Sequence, residues 1–234
     1  TSGATVTSVA LPPWLPASVT RTTLRAIMGQ LDDDSDESNM KPYPTVNGVP
    51  SQFETDCESI DLQNENGKPF GVPGAVALER ALDWQSGLKI KQITVNGANL
   101  GAEGGSVFAK MLSVGTFAEL EALVVTNSEL GGIGVESLCA SLPKSLNTLD
   151  LGGNAAGDRC GSSACVALKR CPSLRRIGLS RNDIGVEGAL KLSPSVRDHA
   201  SLTEIHLDVN RVGDRGLGAI AAAVRATKAP LEKL

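Results

Sequence analysis

The segment Leu174-Arg175-Arg176-Ile177-Gly178-Leu179-Ser180-Arg181-Asn182 decides the fold, because its apolar pattern returns along most of the chain. Leu174, Ile177 and Leu179 occupy positions one, four and six of a unit. The first positions of successive units lie 26 to 30 residues apart and are Ile90, Leu120, Leu146, Leu174, Leu202 and Leu231. A period in this range predicts a solenoid, in which each unit buries its apolar side by stacking on its neighbours.

Each unit also predicts a strand followed by a helix. Side chains alternate along a strand, so the residues between Leu174, Ile177 and Leu179 face the opposite side. A glycine at position twelve then permits a turn. Apolar residues return at spacings of three and four over residues 186–196, as a half-buried helix requires. The glycines of position twelve are Gly101, Gly131, Gly157, Gly185 and Gly213.

On these positions, residues 57–234 resemble the ribonuclease-inhibitor type of leucine-rich repeat. The resemblance implies an α/β fold, a right-handed solenoid shaped as a horseshoe arc with parallel concave strands and convex α-helices. In that family an asparagine at position nine hydrogen-bonds to the turn backbone of neighbouring units. Asn154, Asn182 and Asn210 match it, whereas Ala98 and Ser128 depart from it. We therefore expect a weaker hydrogen-bond ladder toward the N-terminal side.

The chain divides into three predicted parts. Residues 1–50 form an N-terminal arm with an extended stretch, a short helix and an acidic linker that contains proline. Residues 51–89 form a degenerate capping repeat with a helical stretch near residues 72–84, and residues 90–234 form five repeats and the start of a sixth. Because Leu234 falls inside a strand motif and Thr1 is not a methionine, we expect the natural chain to be longer.

The arm carries a candidate anchoring segment, Pro12, Pro13, Trp14 and Leu15. Proline favours an extended backbone here, so the segment can dock in a groove of a partner. Alternatively, it folds back on the first repeat and completes the cap of the sheet edge. The acidic run over residues 32–38 indicates a solvated linker. It lacks the glycine and glutamate that an EF-hand calcium loop requires at its sixth and twelfth positions.

Composition excludes several classes of function. A net charge of −4, a pI near 5.3 and 3% aromatic residues argue against direct nucleic-acid binding. No apolar run approaches the roughly 18 residues of a membrane span, so we expect no membrane insertion.

The chain has five cysteines without a C-x-x-C spacing, which favours reduced thiols. We therefore expect an intracellular location, most often the cytoplasm, although an organelle remains an alternative. The cysteine spacings fit no zinc pattern, so we expect neither a metal nor a cofactor.

The concave strands offer the best predicted functional surface. Arg175, Arg176 and Arg181 form a basic cluster that we expect to bind an acidic segment of a protein partner, since guanidinium groups are apt interface anchors. Alternatively, Arg176 and Glu204 share position three of adjacent units and neutralise each other. His206 lies beside a carboxylate, as either a pH-sensitive contact or an ordinary surface histidine. The acidic and histidine members of the predicted surface are Asp150, Glu204, His206 and Asp208.

No catalytic grouping of serine, cysteine or histidine can be assembled from the sequence, and the glycine-rich strings recur with the repeat as turns. We therefore predict a non-enzymatic interaction scaffold, a subunit or adaptor of a multi-subunit intracellular assembly. One alternative is a regulator of a small GTPase, because Ran GTPase-activating proteins resemble this repeat type. Another is the sensor part of a larger nucleotide-binding leucine-rich-repeat receptor.

Overall fold

The computed structural model describes residues 58–63, 70–83, 89–113, 117–227, 229 and 231–233. The anchoring segment of Pro12, Pro13, Trp14 and Leu15 and the acidic run lie outside the described residues, as do Cys57 and Trp84. The predicted position of the arm therefore stays a prediction.

Six parallel strands form one open sheet in the order of the sequence. Neighbouring strands align the same position of consecutive units, so that position four runs from Ile60 through Ile93 and Leu123 to Ile205. This register places one layer of aliphatic side chains above the next and confirms the α/β solenoid. The strands are β1 Ser59–Gln63, β2 Gln92–Asn96, β3 Ala122–Thr126, β4 Thr148–Asp150, β5 Arg176–Gly178 and β6 Glu204–His206.

A helix follows each strand, and consecutive helices pack side by side. The side chains at positions one, four and six are buried between the helices and the sheet, with Leu174, Ile177 and Leu179 all 0% exposed. This shared core is what the repeat pattern predicts, because no unit can bury its apolar side alone. The helices are α1 Gly71–Asp83, α2 Gly101–Ser113, α3 Gly131–Ala140, α4 Asp158–Arg170, α5 Val186–Asp198 and α6 Gly213–Ala226.

The helices α4 and α5 approach each other through glycine. A Cβ atom on Gly161 would lie 2.8 Å from the Cα atom of Gly188, closer than real Cβ contacts allow. Both glycines are buried. Their missing side chains therefore set the distance between the fourth and fifth units.

A ladder of asparagine side chains connects the turns after the strands. The Asn182 side-chain amide donates to the carbonyl groups of Leu151, Leu179 and Ser180, and its oxygen accepts from the backbone N–H groups of Asn154 and Ala156. Asn154 and Asn210 each make five equivalent bonds.

The ladder has fewer side-chain hydrogen bonds toward the N-terminal side, as the substitutions at position nine predict. Ser128 makes two side-chain hydrogen bonds, donating to the Thr126 carbonyl and accepting from the Ala98 N–H. Ala98 has no side chain that can contribute. Because buried backbone groups need partners, the C-terminal turns are the better fixed part of the array.

The N-terminus of α5 is capped from the neighbouring unit. Oδ1 of Asp158 accepts hydrogen bonds from the backbone N–H groups of Gly185, at 2.7 Å, and Gly188, at 2.9 Å. Gly185 precedes the helix and has no side chain that could do this. The carboxylate therefore satisfies two of the free N–H groups of the helix and faces the positive end of its dipole.

Candidate interaction surface on the strand face

A groove of about 660 Å³ opens on the strand face where glycines interrupt the layer of side chains. Gly152, Gly153 and Gly178 line this interruption, with the ends of β2 and β3 on one flank and β6 on the other. The other lining residues are Asn96, Thr126, Asn127, Asp150, Arg176, Ser180, Arg181, Glu204, His206 and Lys233. The groove therefore brings together most of the predicted partner-binding residues.

Two of the glycines cannot be replaced without moving a neighbour. A Cβ atom on residue 178 would lie 2.6 Å from the carboxyl carbon of Asp150, so this carboxylate lies over Gly178. At Gly153, where φ is +71°, a Cβ atom would lie 3.0 Å from the side-chain amide carbon of Asn127. The groove thus depends on glycine for both space and backbone conformation.

One flank of the groove is a neutral hydrogen-bonded group. Oδ1 of Asn96 accepts from the Thr126 hydroxyl at 3.0 Å and from the Asn127 amide at 2.9 Å. These contacts fix the side chains that border the glycines on the N-terminal side. The groove is therefore polar but uncharged on that flank.

The opposite flank is built around Glu204. Its carboxylate accepts from Nε of Arg176 at 2.8 Å and from a terminal nitrogen of the same guanidinium at 3.1 Å. Hydrogen bonding to Arg176 is the main reason why the pKa of Glu204 lies below its ordinary value. His206 approaches the carboxylate to 3.4 Å and Lys233 to 4.0 Å.

Arg176 distinguishes the two interpretations of the basic cluster, binding of a partner and neutralisation by a neighbouring carboxylate. Its guanidinium is occupied by Glu204, and this bond raises the pKa of Arg176 above its ordinary value. This is the neutralising pair that the shared position in adjacent units predicts. Arg176 therefore shapes the groove from within the sheet instead of offering a free cation to a partner.

Arg181 is the cation that the groove leaves available. Its side chain is exposed and, among the described residues, has no ion pair. Its backbone N–H donates to the Asp208 carbonyl at 2.9 Å, which fixes the residue to the next unit. Its φ is +56°, in the left-handed region that side chains other than glycine and asparagine avoid.

Arg175 does not line the groove, whereas Arg176 and Arg181 do. It directly precedes β5, and its backbone N–H donates to the Asn147 carbonyl at 2.8 Å. Its side chain is exposed. That Arg175, Arg176 and Arg181 together bind an acidic segment of a partner stays a prediction.

Asp150, Asp208 and His206 take different places around the groove. Asp150 accepts from the Gly152 N–H at 2.9 Å and lies on the floor. Asp208 accepts from the Ser180 hydroxyl at 3.0 Å and is exposed beside the groove without lining it. His206 lines the groove next to Glu204.

The sequence did not predict the groove as one site. Its floor arises because Gly152, Gly153 and Gly178 belong to two consecutive units, which only the register brings together. Lys233 joins the site through the segment over residues 231–233, which pairs with β6 at Glu204. A comparison of the outward positions of neighbouring units for missing side chains would have indicated the gap.

The cysteines form no exposed reactive site among the described residues. Burial raises the pKa of the Cys160 thiol to about 12 and that of the Cys171 thiol to about 11. Burial also raises the pKa of Cys139 well above its ordinary value. Within the described part of the chain, no three histidine, cysteine or acidic side chains are grouped as metal ligands would be. A search of the same residues for a helix long and apolar enough to cross a membrane found none.

Comparison with known proteins agrees with this geometry. The Leucine Rich repeat family matches residues 170–193 and 198–221. Ribonuclease inhibitor from Sus scrofa is 28% identical over 148 residues, which cover 62% of this chain and 32% of that protein. Tonsoku-like protein from Bos taurus is 28% identical over 158 residues, which cover 64% of this chain and 11% of that protein.

The chain thus spans about a third of the first relative and about a ninth of the second. Together with the sheet of six parallel strands, these matches confirm the resemblance to leucine-rich repeats of the ribonuclease-inhibitor type. An array of this kind is a protein-interaction module, because stacked units present one continuous surface.

Proposed function

We propose that this chain, a leucine-rich-repeat protein of the ribonuclease-inhibitor type, is a non-enzymatic scaffold that holds a protein partner on its strand face. The proposed role is that of a subunit or adaptor in a larger assembly. The partner presents an acidic side chain that enters the groove and pairs with Arg181. One observation carries this proposal: Arg181 borders a 660 Å³ groove and has no ion pair among the described residues.

The charge distribution in the groove favours an acidic ligand group. Arg176, Arg181 and Lys233 line it together with two carboxylates, those of Asp150 and Glu204. Glu204 is already bound to Arg176 and approached by Lys233. A partner carboxylate near Arg181 would add the missing negative charge, and a guanidinium can bind it through two parallel hydrogen bonds.

The left-handed backbone at Arg181 is a property of its position in the repeat. The same position of four other units holds Gly97, Asn127, Gly153 and Val209, all with φ between +49° and +71°. An arginine there costs conformational energy that glycine or asparagine would save.

A protein ligand also agrees with the shape of the site. The groove crosses strands of several units and is open along one face, as suits an extended segment more than an enclosed small molecule. The relative from Sus scrofa is named as an inhibitor of ribonuclease, itself a protein. The arm with Pro12, Pro13, Trp14 and Leu15 is proposed as a second tether to a neighbouring subunit.

The experiment compares proteins retained from the source cells by the wild-type chain, by Arg181→Asn and by the control Arg215→Asn. Asparagine suits the left-handed backbone of residue 181, so the test variant keeps the fold. Arg215 is an exposed arginine of α6 outside the groove, so its replacement removes the same charge. Quantitative mass spectrometry then measures each retained protein.

We expect the wild-type chain to retain a fixed set of proteins at near equal stoichiometry. Arg215→Asn should retain the same proteins, whereas Arg181→Asn should not. Equal retention by all three chains would contradict the role of Arg181. Recovery of a small GTPase in a nucleotide-dependent and substoichiometric way would instead favour the regulator alternative. A GTP-hydrolysis assay on that protein would then measure the activity directly.

A further inference from the structure

The edge of the solenoid where the helices end carries a second charged surface, separate from the groove. We name it the helix-exit rim and define it by residues 142–147, 169–175 and 199–203, which lead from α3, α4 and α5 toward the next strands. These segments contain Lys144, Lys169, Arg170 and Arg175 and no aspartate or glutamate. All four cations are exposed.

Hydrogen bonds between consecutive units bring the first two segments together. Nε of Arg170 donates to the Leu142 carbonyl at 2.5 Å, and the Cys171 thiol donates to the Pro143 carbonyl at 3.3 Å. The backbone N–H of Arg175 donates to the Asn147 carbonyl at 2.8 Å. Lys144 lies between these bonded residues, so the four cations belong to one continuous surface.

No carboxylate of the described residues forms an ion pair with the four rim cations, and the carboxylate of Glu121 contacts the rim through the side chain of Asn147, at 3.5 Å. Ion pairs occur at other exposed cations of the array: Lys91 binds Glu58, Arg159 binds Glu136 and Arg197 binds Asp198. Among the described residues, none of the four rim cations has such a pair, although the whole chain carries a net charge of −4. The rim therefore carries a local excess of positive charge on a chain whose net charge is negative.

The helix dipole explains only part of the arrangement. Lys169 and Arg170 lie in the last turn of α4, where cations stabilise the negative end of a helix. Lys144 and Arg175 lie outside the helices, in the turns before β4 and β5. Their positions leave an excess of positive charge that α4 does not require.

We propose that the helix-exit rim is a docking surface for an acidic segment of a protein, distinct from the groove and independent of Arg181. Four exposed cations on two hydrogen-bonded segments can follow a run of carboxylates, with Arg175 supplying a planar guanidinium. An acidic protein segment is favoured over nucleic acid because the rim segments hold no tryptophan, tyrosine or phenylalanine on which bases could stack. The acidic balance of the chain also opposes a long polyanion.

Ser173 provides a site for a sharp test, because it is exposed within the rim. It lies between Arg170 and Arg175 in the turn before β5. A glutamate there places a negative charge among the four cations, whereas an alanine leaves the charge unchanged. Neither substitution removes a side-chain packing contact in the core, so both variants are expected to fold.

The experiment measures fluorescence anisotropy of a labelled peptide with six consecutive glutamates, titrated with the purified chain at low and moderate salt. The test variants are Lys144→Ser/Arg175→Ser and Ser173→Glu. The controls are Lys191→Ser/Arg215→Ser, which removes one exposed lysine and one exposed arginine outside the rim, and Ser173→Ala. A labelled single-stranded RNA of matched charge forms a separate arm.

We expect the wild-type chain and both controls to bind the peptide, with affinity that falls as salt rises. The two test variants should lose about fivefold or more in affinity. Equal losses in Lys191→Ser/Arg215→Ser would overturn the assignment of the site to the rim. Preferential binding of the RNA through the rim cations would overturn the choice of an acidic protein segment. Arg181→Asn should reduce peptide binding less than either rim variant does, which keeps this test separate from that of the groove.

Discussion

The carboxylate of Glu204 and the guanidinium of Arg176 form a two-bond pair across adjacent strands, with nitrogen–oxygen distances of 2.8 and 3.1 Å. Arg176 and Glu204 are direct partners in the parallel register of β5 and β6. The pair decides which arginine the groove offers to a partner. Because Glu204 occupies Arg176, the groove can bind an acidic group chiefly through Arg181.

This pair predicts a specific dependence of stability on pH. Hydrogen bonding to Arg176 lowers the pKa of Glu204 from its ordinary value of 4.5. A carboxylate with a lowered pKa contributes stability above its unfolded pKa and loses that contribution as pH falls through its folded pKa. We therefore expect the free energy of unfolding to fall below pH 4.5 more steeply in the wild type than in Glu204→Gln.

Urea denaturation at a series of pH values measures this difference. Subtracting the Glu204→Gln series removes the effects of other acidic groups, including Asp198, whose pKa is also lowered by its bond to Arg197. Parallel curves for the two proteins between pH 5 and pH 3 would show that the pair does not contribute.

Replacement of Asn182 should destabilise the array more than replacement of Ser128. Asn182→Ala removes five hydrogen bonds from buried backbone groups, whereas Ser128→Ala removes two. We expect a loss of about 3 kcal/mol for Asn182→Ala and about 1 kcal/mol for Ser128→Ala, since buried groups left unpaired are costly. Chemical denaturation measures both, and equal losses would contradict the ladder.

Removal of the Asp158 carboxylate should uncap α5. Asp158→Ala is expected to cost about 1 kcal/mol, because two backbone N–H groups lose their acceptor. Asp214→Ala is the matched control: it too removes an acid from the first turn of its own helix, but among the described residues its carboxylate caps no neighbour. Similar losses in thermal and chemical denaturation would mean that the bond between units contributes nothing.

The buried thiols should resist alkylation in the folded protein. With a pKa of about 12 for Cys160 and about 11 for Cys171, less than about one thiol in a thousand is ionised at pH 8. In a Cys57→Ser background we expect iodoacetamide to modify the half-buried Cys165 first. Mass spectrometry of the digested protein gives the modified positions, and rapid labelling of Cys139 or Cys160 would indicate a looser core.

Much of the fold could be predicted because it depends on local spacing. The apolar positions typified by Leu174 and Ile177 recur with the period of the solenoid, and the register follows from stacking equal positions. The same logic predicted that Arg176 and Glu204 would be neighbours. These features need only the sequence and the geometry of a parallel sheet.

The site could be predicted only in part, because it depends on contacts between units and on missing side chains. The sequence grouped Arg175 with Arg176, but only Arg176 lines the groove. The cap that Asp158 provides and the floor at Gly178 join residues of different units. Periodicity predicts which units are neighbours, but it does not place an individual carboxylate.

The affinity of the retained partner for the wild-type chain and for Arg181→Asn shows whether the groove binds its partner through Arg181. Isothermal titration calorimetry with purified proteins at moderate salt measures both dissociation constants. We expect Arg181→Asn to weaken binding about tenfold or more. Its free energy of unfolding should equal that of the wild type or exceed it, since asparagine relieves the left-handed strain. Equal affinities of the two chains would contradict a groove that binds its partner through Arg181.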